Sequence, residues 1–210
     1  MCIRDRKLED QPSIEHASFI PVYDQIRDKD EEKLEAWIEG KTGVHFIDAC
    51  MIYLRNHGWI NFRMRAMLAS FASYNLWLDW RYFAPRLAAL FTDFEPGIHY
   101  SQIQMQSGTT GINTIRMYNP YKQAMDQDPL GKFIKSQIPE VKNFPPAFFH
   151  NPPKKSLNVN LFDNEVQKEI INVKETAQYA RKKIFDIRKS QEHKILAKNV
   201  YLKHGSRGRN

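Results

Sequence analysis

The stretch GWINFRMRAMLAS, residues 58–70, places two arginines, Arg63 and Arg65, inside an otherwise apolar run. A surface helix segregates its charges to one side, and a core helix avoids them. Two residues apart on a helix, these side chains project about 200° from one another, so they cannot serve one partner side by side. One can face inward while the other faces a groove or solvent. An inward guanidinium needs a carboxylate or a phosphate close by, because an unpaired buried charge is very costly. Asp79, Asp93 and Glu95 are the candidate acids. Spacing leaves open whether such a pair is an inter-helix structural contact or part of a binding site.

The flanking sequence reads as helix. DKDEEKLEAWIEGKTG opens a first one, with Asp30 as N-cap, acids in the first turn and Gly40 as its stop. Residues 44–57 form a second, with Val44, Ile47, Met51 and Leu54 on one stripe and Gly58 just beyond its end. Residues 60–78 form a third, apolar around most of its circumference and therefore central. DWRYFAPRLAALF begins a fourth, which accommodates Pro85 only near its first turn. Further on, Pro96, Gly97, Gly108 and Gly111 predict short helical pieces separated by loops.

Residues 7–29 carry Pro12 and Pro21 and read as extended and loop-rich. From Pro120 to about Pro153, proline, aspartate and glycine predict a long irregular connection with one short helix at 130–138. From about 163 to 203 the chain reads as one or two strongly basic helices. No run alternates as a strand would, so the fold class is all-α.

Composition narrows the function. Hydrophobic residues make up 42% and aromatics 12%, which argues for a packed chain rather than a disordered one. A net charge of +7 suits an anionic partner. Cys2 and Cys50 are too few for a disulfide framework and point to a reducing, cytoplasmic setting. No apolar run reaches membrane-spanning length, so no membrane partner is expected. The opening MCIRDR joins abruptly to KLEDQPSIEH and reads as a non-native or truncated leader, which leaves residues 7–210 as one helical domain. No histidine or cysteine spacing suggests a metal, and none is expected. His57, His99, His150 and His204 are possible bases, but nothing in the sequence couples them to a partner.

Four segments carry a family resemblance. They are WIEGKTGVHFIDACMIYLRNHGWINFRMRAMLASF, LWLDWRYF, DFEPGIHYSQIQMQSGTTGINTIRMYNP and DQDPLGKFIKSQIPEV. Together they resemble the helical FAD-binding domain of the photolyase/cryptochrome family. The family's order W-x-x-G-x-T-G, D-A-x-M, G-W, D-W-R, an acidic pair, N-P, D-P-x-G and P-E recurs from Trp37 to Glu140 at family-like spacing.

The resemblance implies FAD as cofactor and DNA containing pyrimidine photodimers as partner. It implies flavin-dependent, light-driven repair, with a cryptochrome-like blue-light sensor as one alternative and a truncated nucleic-acid-binding module without FAD as another. Arg65 matches an arginine beside the flavin ring, Asp93 its carboxylate partner, and Glu95 an acid at the ring's polar edge. Trp59 and Phe94 complete the implied cofactor-binding set. Asn61, Phe62 and Arg63 fall at the implied DNA-facing rim.

Trp80 matches the middle member of an electron-relay trio. The trio's other two positions fall on Ser101 and near Arg27, neither aromatic, so photoreduction is expected either to run through Trp77, Tyr82 or Tyr100 or to be poor. His99 falls where photolyases usually carry an asparagine facing flavin N5. An α/β antenna domain with its own chromophore, and the diphosphate-binding region, should precede Lys7. The chain is therefore expected to be part of a longer protein and to be inactive alone.

Overall fold

In the computed structural model, the structure describes residues 11–151 and 167–204. The leader expected at 1–6 and the 163–166 start of the basic tail lie outside the described residues. Among the described residues there is no strand, only one isolated backbone bridge between Asp28 and Leu78.

Local capping sets most helix boundaries. Helix α1 spans Glu31–Glu39, and the Asp30 carboxylate accepts the Lys33 N–H at 3.0 Å. Helix α2 spans His45–His57 and buries Ile47, Met51 and Leu54. It ends at Gly58, whose φ of 67° lies in the left-handed region that favours glycine. Helix α3 spans Phe62–Ser70, and the Asn61 side chain accepts the Met64 N–H at 3.1 Å.

The third helix departs from the expected 60–78. After Ser70 the chain widens into a π-helical segment, Phe71–Asn75, where Leu76 N–H reaches the Phe71 carbonyl five residues back. Widening leaves carbonyls for other donors, and the buried Arg27 takes that of Ser73 at 3.0 Å. Trp77 then adopts φ 59° and ends the helical run.

Helix α4, Trp80–Ala88, is capped by Asp79 and holds Pro85 in its second turn rather than its first. The cost is one missing N–H toward the Arg81 carbonyl. Helix α5, Pro96–Ser107, overturns the expected short pieces. Pro96 sits at the first helical position, where its missing N–H costs nothing, and Glu95 caps the end. Proline and glycine here start a twelve-residue helix instead of breaking one.

The expected irregular stretch after Pro120 contains helix α6, Pro120–Gln127, capped by Asn119. Helix α7, Lys132–Gln137, falls where a short helix was read, and α8, Ala147–His150, adds one more turn. The basic tail is two helices, α9 at Val173–Lys189 and α10 at Gln191–His204. Residues 167–172 are not helical. Within the N-terminal segment expected to be extended, Pro12–Glu15 and Pro21–Gln25 instead form single 3-10 turns, each begun by its proline.

Helix α3 packs on α5, and α4 packs on α5. Their shared core includes Trp37, Leu54, Met67, Trp80 and Phe83. A second cluster of Ile20, Tyr23, Tyr74, Trp77, Ala180 and Ile184 ties the N-terminal turns and the π segment to α9. Between α3, α4, α5 and the 91–95 loop a gap remains.

Candidate cofactor cavity

That gap is a cavity of about 310 Å³, within the range of small-ligand sites. Three segments build it. The Gly58 turn and α3 contribute Trp59, Phe62, Arg65 and Ala66. The end of α4 and the loop after it contribute Leu87, Phe91, Asp93 and Phe94. Helix α5 contributes Ile98, His99, Gln102 and Gln106. Two hydrogen bonds to the Gly58 carbonyl, from Thr92 N–H at 2.9 Å and Thr92 Oγ1 at 3.1 Å, hold the loop against the turn.

Arg65 is the inward-facing member of the arginine pair. Its Nη2 donates to Asp93 Oδ2 at 2.9 Å and its Nε to the Ile60 carbonyl at 2.7 Å. The guanidinium carbon lies 4.2 Å from the Phe91 ring centroid and 6.0 Å from that of Trp59. The Arg65 side chain is 25% exposed and that of Asp93 47%. A pair this wet contributes at most about 1 kcal/mol to stability. Its place on the cavity wall, rather than its worth as a staple, is what distinguishes it. Arg63 is exposed and lines none of the cavities described here.

Of the three candidate acids, Asp79 plays a different part. It pairs with Arg81 and caps α4, and it does not meet either arginine of α3. Glu95 lines the cavity while its carboxylate accepts the Gly97 N–H at 3.1 Å and the Ile98 N–H at 2.6 Å. A carboxylate has about four acceptor sites, so roughly two remain for a ligand.

His99 is buried, and burial, with the Arg65 charge adding to it, pushes its pKa down to about 4. The imidazole is therefore neutral at pH 7. Its Nε2 lies 3.0 Å from the Ala84 carbonyl, which can only accept, so Nε2 carries the proton and Nδ1 is left as an acceptor.

The remaining sequence candidates are dispersed. Trp80 is buried, donates from Nε1 to Ser18 Oγ at 2.8 Å, and does not line the cavity. It reaches the wall only through Tyr100, whose ring lies 6.4 Å from Trp80, 5.2 Å from His99 and 6.4 Å from Phe94. Asn61 caps α3 and lines a neighbouring pocket with Phe46, Tyr53 and Phe133. Trp59, half-exposed, walls both that pocket and the main cavity. Phe62 belongs to the main cavity and also to a second cleft of about 330 Å³ with Met105, Thr110 and Arg116.

Sequence reasoning missed Gln102 and Gln106, which line both the cavity and the second cleft. Gln102 Oε1 is buried without a hydrogen-bond partner among the described residues. The signal was present as the i, i+4, i+7, i+11 stripe Glu95, His99, Gln102 and Gln106. It disappears once Pro96 and Gly97 are taken as breakers.

The family described as the FAD binding domain of DNA photolyase matches residues 2–198. The chain belongs to that family. The deoxyribodipyrimidine photo-lyase of Vibrio cholerae is 36% identical over 127 residues, 59% of this chain and 27% of that protein. Cryptochrome DASH of Gloeobacter violaceus is 32% identical over 127 residues, 60% of this chain and 25% of that protein. An archaeal photolyase from Sulfolobus tokodaii, whose crystal structure has two FAD molecules, aligns with a TM-score of 0.75 and 30% identity, over 85% of this chain and 41% of that one. The chain thus spans 27% and 25% of the two curated photolyase-family relatives. Among the described residues no helix is long and apolar enough to cross a membrane, and no group of histidine, cysteine, aspartate and glutamate could hold a metal ion.

Proposed function

We propose that the chain forms the isoalloxazine-facing half of an FAD cavity in a protein that repairs pyrimidine photodimers in DNA under light. The observation that carries this reading is the Arg65–Asp93 pair, laid over Phe91 in the cavity wall of a chain from this family. The residues present fit a flavin. Gln102 Oε1, an orphaned buried acceptor, suits a ring N–H. Arg65 suits a ring system that gains negative charge on reduction, and Asp93 keeps the guanidinium oriented. Phe91, Phe94, Leu87 and Ile98 supply apolar walls.

Bound, reduced FAD would supply the photoexcited electron that splits the photodimer and would recover it afterwards. The chain's own share is electrostatic and positional. Neutral His99, with its proton held on Nε2 by the Ala84 carbonyl, presents an acceptor without adding a second cation beside Arg65. Ala66, Ala69 and Ile103 add apolar surface to the wall. The second cleft shares Phe62, Gln102 and Gln106 with the cavity and carries orphaned hydroxyls on Ser101 and Thr110. It suits a pair of bases turned out of a duplex, with Arg116 at its edge for phosphate.

A light-sensing role draws on the 32% identity with a cryptochrome and on the aromatic contact chain from Trp80 through Tyr100 to Phe94. One assay separates the two. A longer protein carrying this chain is loaded with FAD and given dimer-containing DNA under blue light. Loss of dimers supports repair, and a light-driven spectral change without loss supports sensing. Absence of flavin absorption in that protein overturns both.

A further inference from the structure

Helices α9 and α10 carry nine lysines and arginines against three acids, an excess of six in a chain whose total excess is seven. None of the nine joins an ion pair among the described residues. Cations on a merely solvated helix are usually interspersed with acids that pair at i, i+4. Here Arg181, Lys182 and Lys183 stand consecutively and exposed on α9, and Lys194 and Lys198 are exposed on α10. Aromatic rings stand among them. Lys189 Nζ lies 4.2 Å from the ring centroid of Phe185, and Lys183 Nζ lies 5.5 Å from that of Tyr179, with both rings about half exposed. Cations interleaved with accessible rings are the chemistry that grips a phosphate backbone and its bases.

This surface is continuous with the second cleft. Val200 of α10 lines that cleft together with Arg116. Arg188 of α9 donates from Nη2 to the Asn113 carbonyl at 2.6 Å and to the Gly111 carbonyl at 3.3 Å, which anchors the tail to the loop forming the cleft edge. We propose that the outer faces of α9 and α10 are a second nucleic-acid contact, which holds the backbone of undamaged duplex beside the cleft. The proposal rests on the reading that the cleft receives DNA.

The test uses the whole chain and an undamaged, fluorescein-labelled duplex, followed by anisotropy across a salt series. The variant Arg181→Gln/Lys182→Gln/Lys198→Gln alters exposed side chains with no hydrogen bond, so it should fold as the parent does. Three lost phosphate contacts should flatten the log–log salt slope by about 2.7 and weaken binding at least about tenfold near 0.1 M salt. A second variant, Lys183→Gln/Lys189→Gln, should flatten it by about 1.8. Unchanged slope and affinity in both folded variants would overturn the proposal. So would a parent chain that binds anionic phospholipid vesicles but no duplex. Repair that persists in a tail-neutralised longer protein with undiminished duplex affinity sinks this surface and leaves the repair reading standing. Weakened duplex binding in a protein that retains no flavin does the reverse.

Discussion

Arg65 and Asp93, 28 positions apart in sequence, meet at 2.9 Å across the seam between α3 and the loop that enters α5. Both side chains remain partly in water, so their pairing weighs little in stability and much in the charge of the cavity wall. Substituting Asp93→Asn should therefore weaken FAD binding about tenfold while moving Tm by no more than about 4 °C. Asp79→Asn should show the opposite balance. Asp79 is 4% exposed, caps α4 and pairs with Arg81, whose side chain is 30% exposed, and weakening this charged hydrogen-bonded cap should cost about 2 kcal/mol. Isothermal titration with FAD and thermal melts check both. Equal loss of flavin in the two variants would refute the placement.

Gln102 offers a cleaner probe. Its Oε1 is buried without a donor among the described residues. Removing an unsatisfied acceptor releases its desolvation penalty, so Gln102→Leu should leave Tm unchanged or slightly higher. FAD affinity should fall about tenfold, the worth of one hydrogen bond. A variant that loses stability and keeps affinity would remove Gln102 from the flavin contacts.

Stability should depend on pH through His99 and His45, among other groups. Burial pushes His99 and His45 from an ordinary value of 6.5 down to about 4. Lowered histidine pKa values mean that the unfolded chain binds more protons between these limits, so stability is full above about 6.5 and falls as the pH drops toward 4. Each site contributes on the order of 3 kcal/mol across that window. The buried Asp48 carboxyl, which desolvation pushes up to about 7, adds stability over the same window and offsets part of this loss, so the readout is the difference between parent and variant. Urea melts from pH 7 to 4.5 should show the parent losing about 3 kcal/mol more than His99→Gln, which keeps a donor for Ala84. A pH profile that His99→Gln leaves unchanged would place the titrating groups elsewhere.

Gly58 links backbone geometry to the site. At φ 67° an added Cβ would meet Thr92 Cγ2 at 2.4 Å, and Thr92 is the residue that pins the Asp93 loop to the turn. Gly58→Ala should cost about 2 kcal/mol or more, a drop in Tm of roughly 4–8 °C, with a loss of FAD affinity beyond that of a neutral surface change. Circular dichroism melts and flavin fluorescence titration read the two effects separately.

Elements whose cause is local were legible from the residues alone. Asp30, Gly40 and Gly58 act within a turn of their own position, so the start and stop of α1 and the stop of α2 derive from them. The apolar stripe of α2 is equally local, because 3.6-residue periodicity requires only that one side be buried. Proline gave the wrong signal at Pro96 and Pro85, where its effect depends on its position within a helix, and that position depends on the caps around it.

The residues themselves determined that this chain is helical, that one arginine of α3 must find an anion, and which acids were available to it. Spacing left open whether Arg63 or Arg65 turns inward and whether Asp79 or Asp93 meets it; the family resemblance pointed to Arg65 and Asp93, and the fold brings those two together and sets Gln102 Oε1 in the wall. The reason is that a cavity belongs to no single helix. It is the space left where α3, α4 and α5 fail to close on one another, and periodicity within one segment carries no information about the shape of the gap between three.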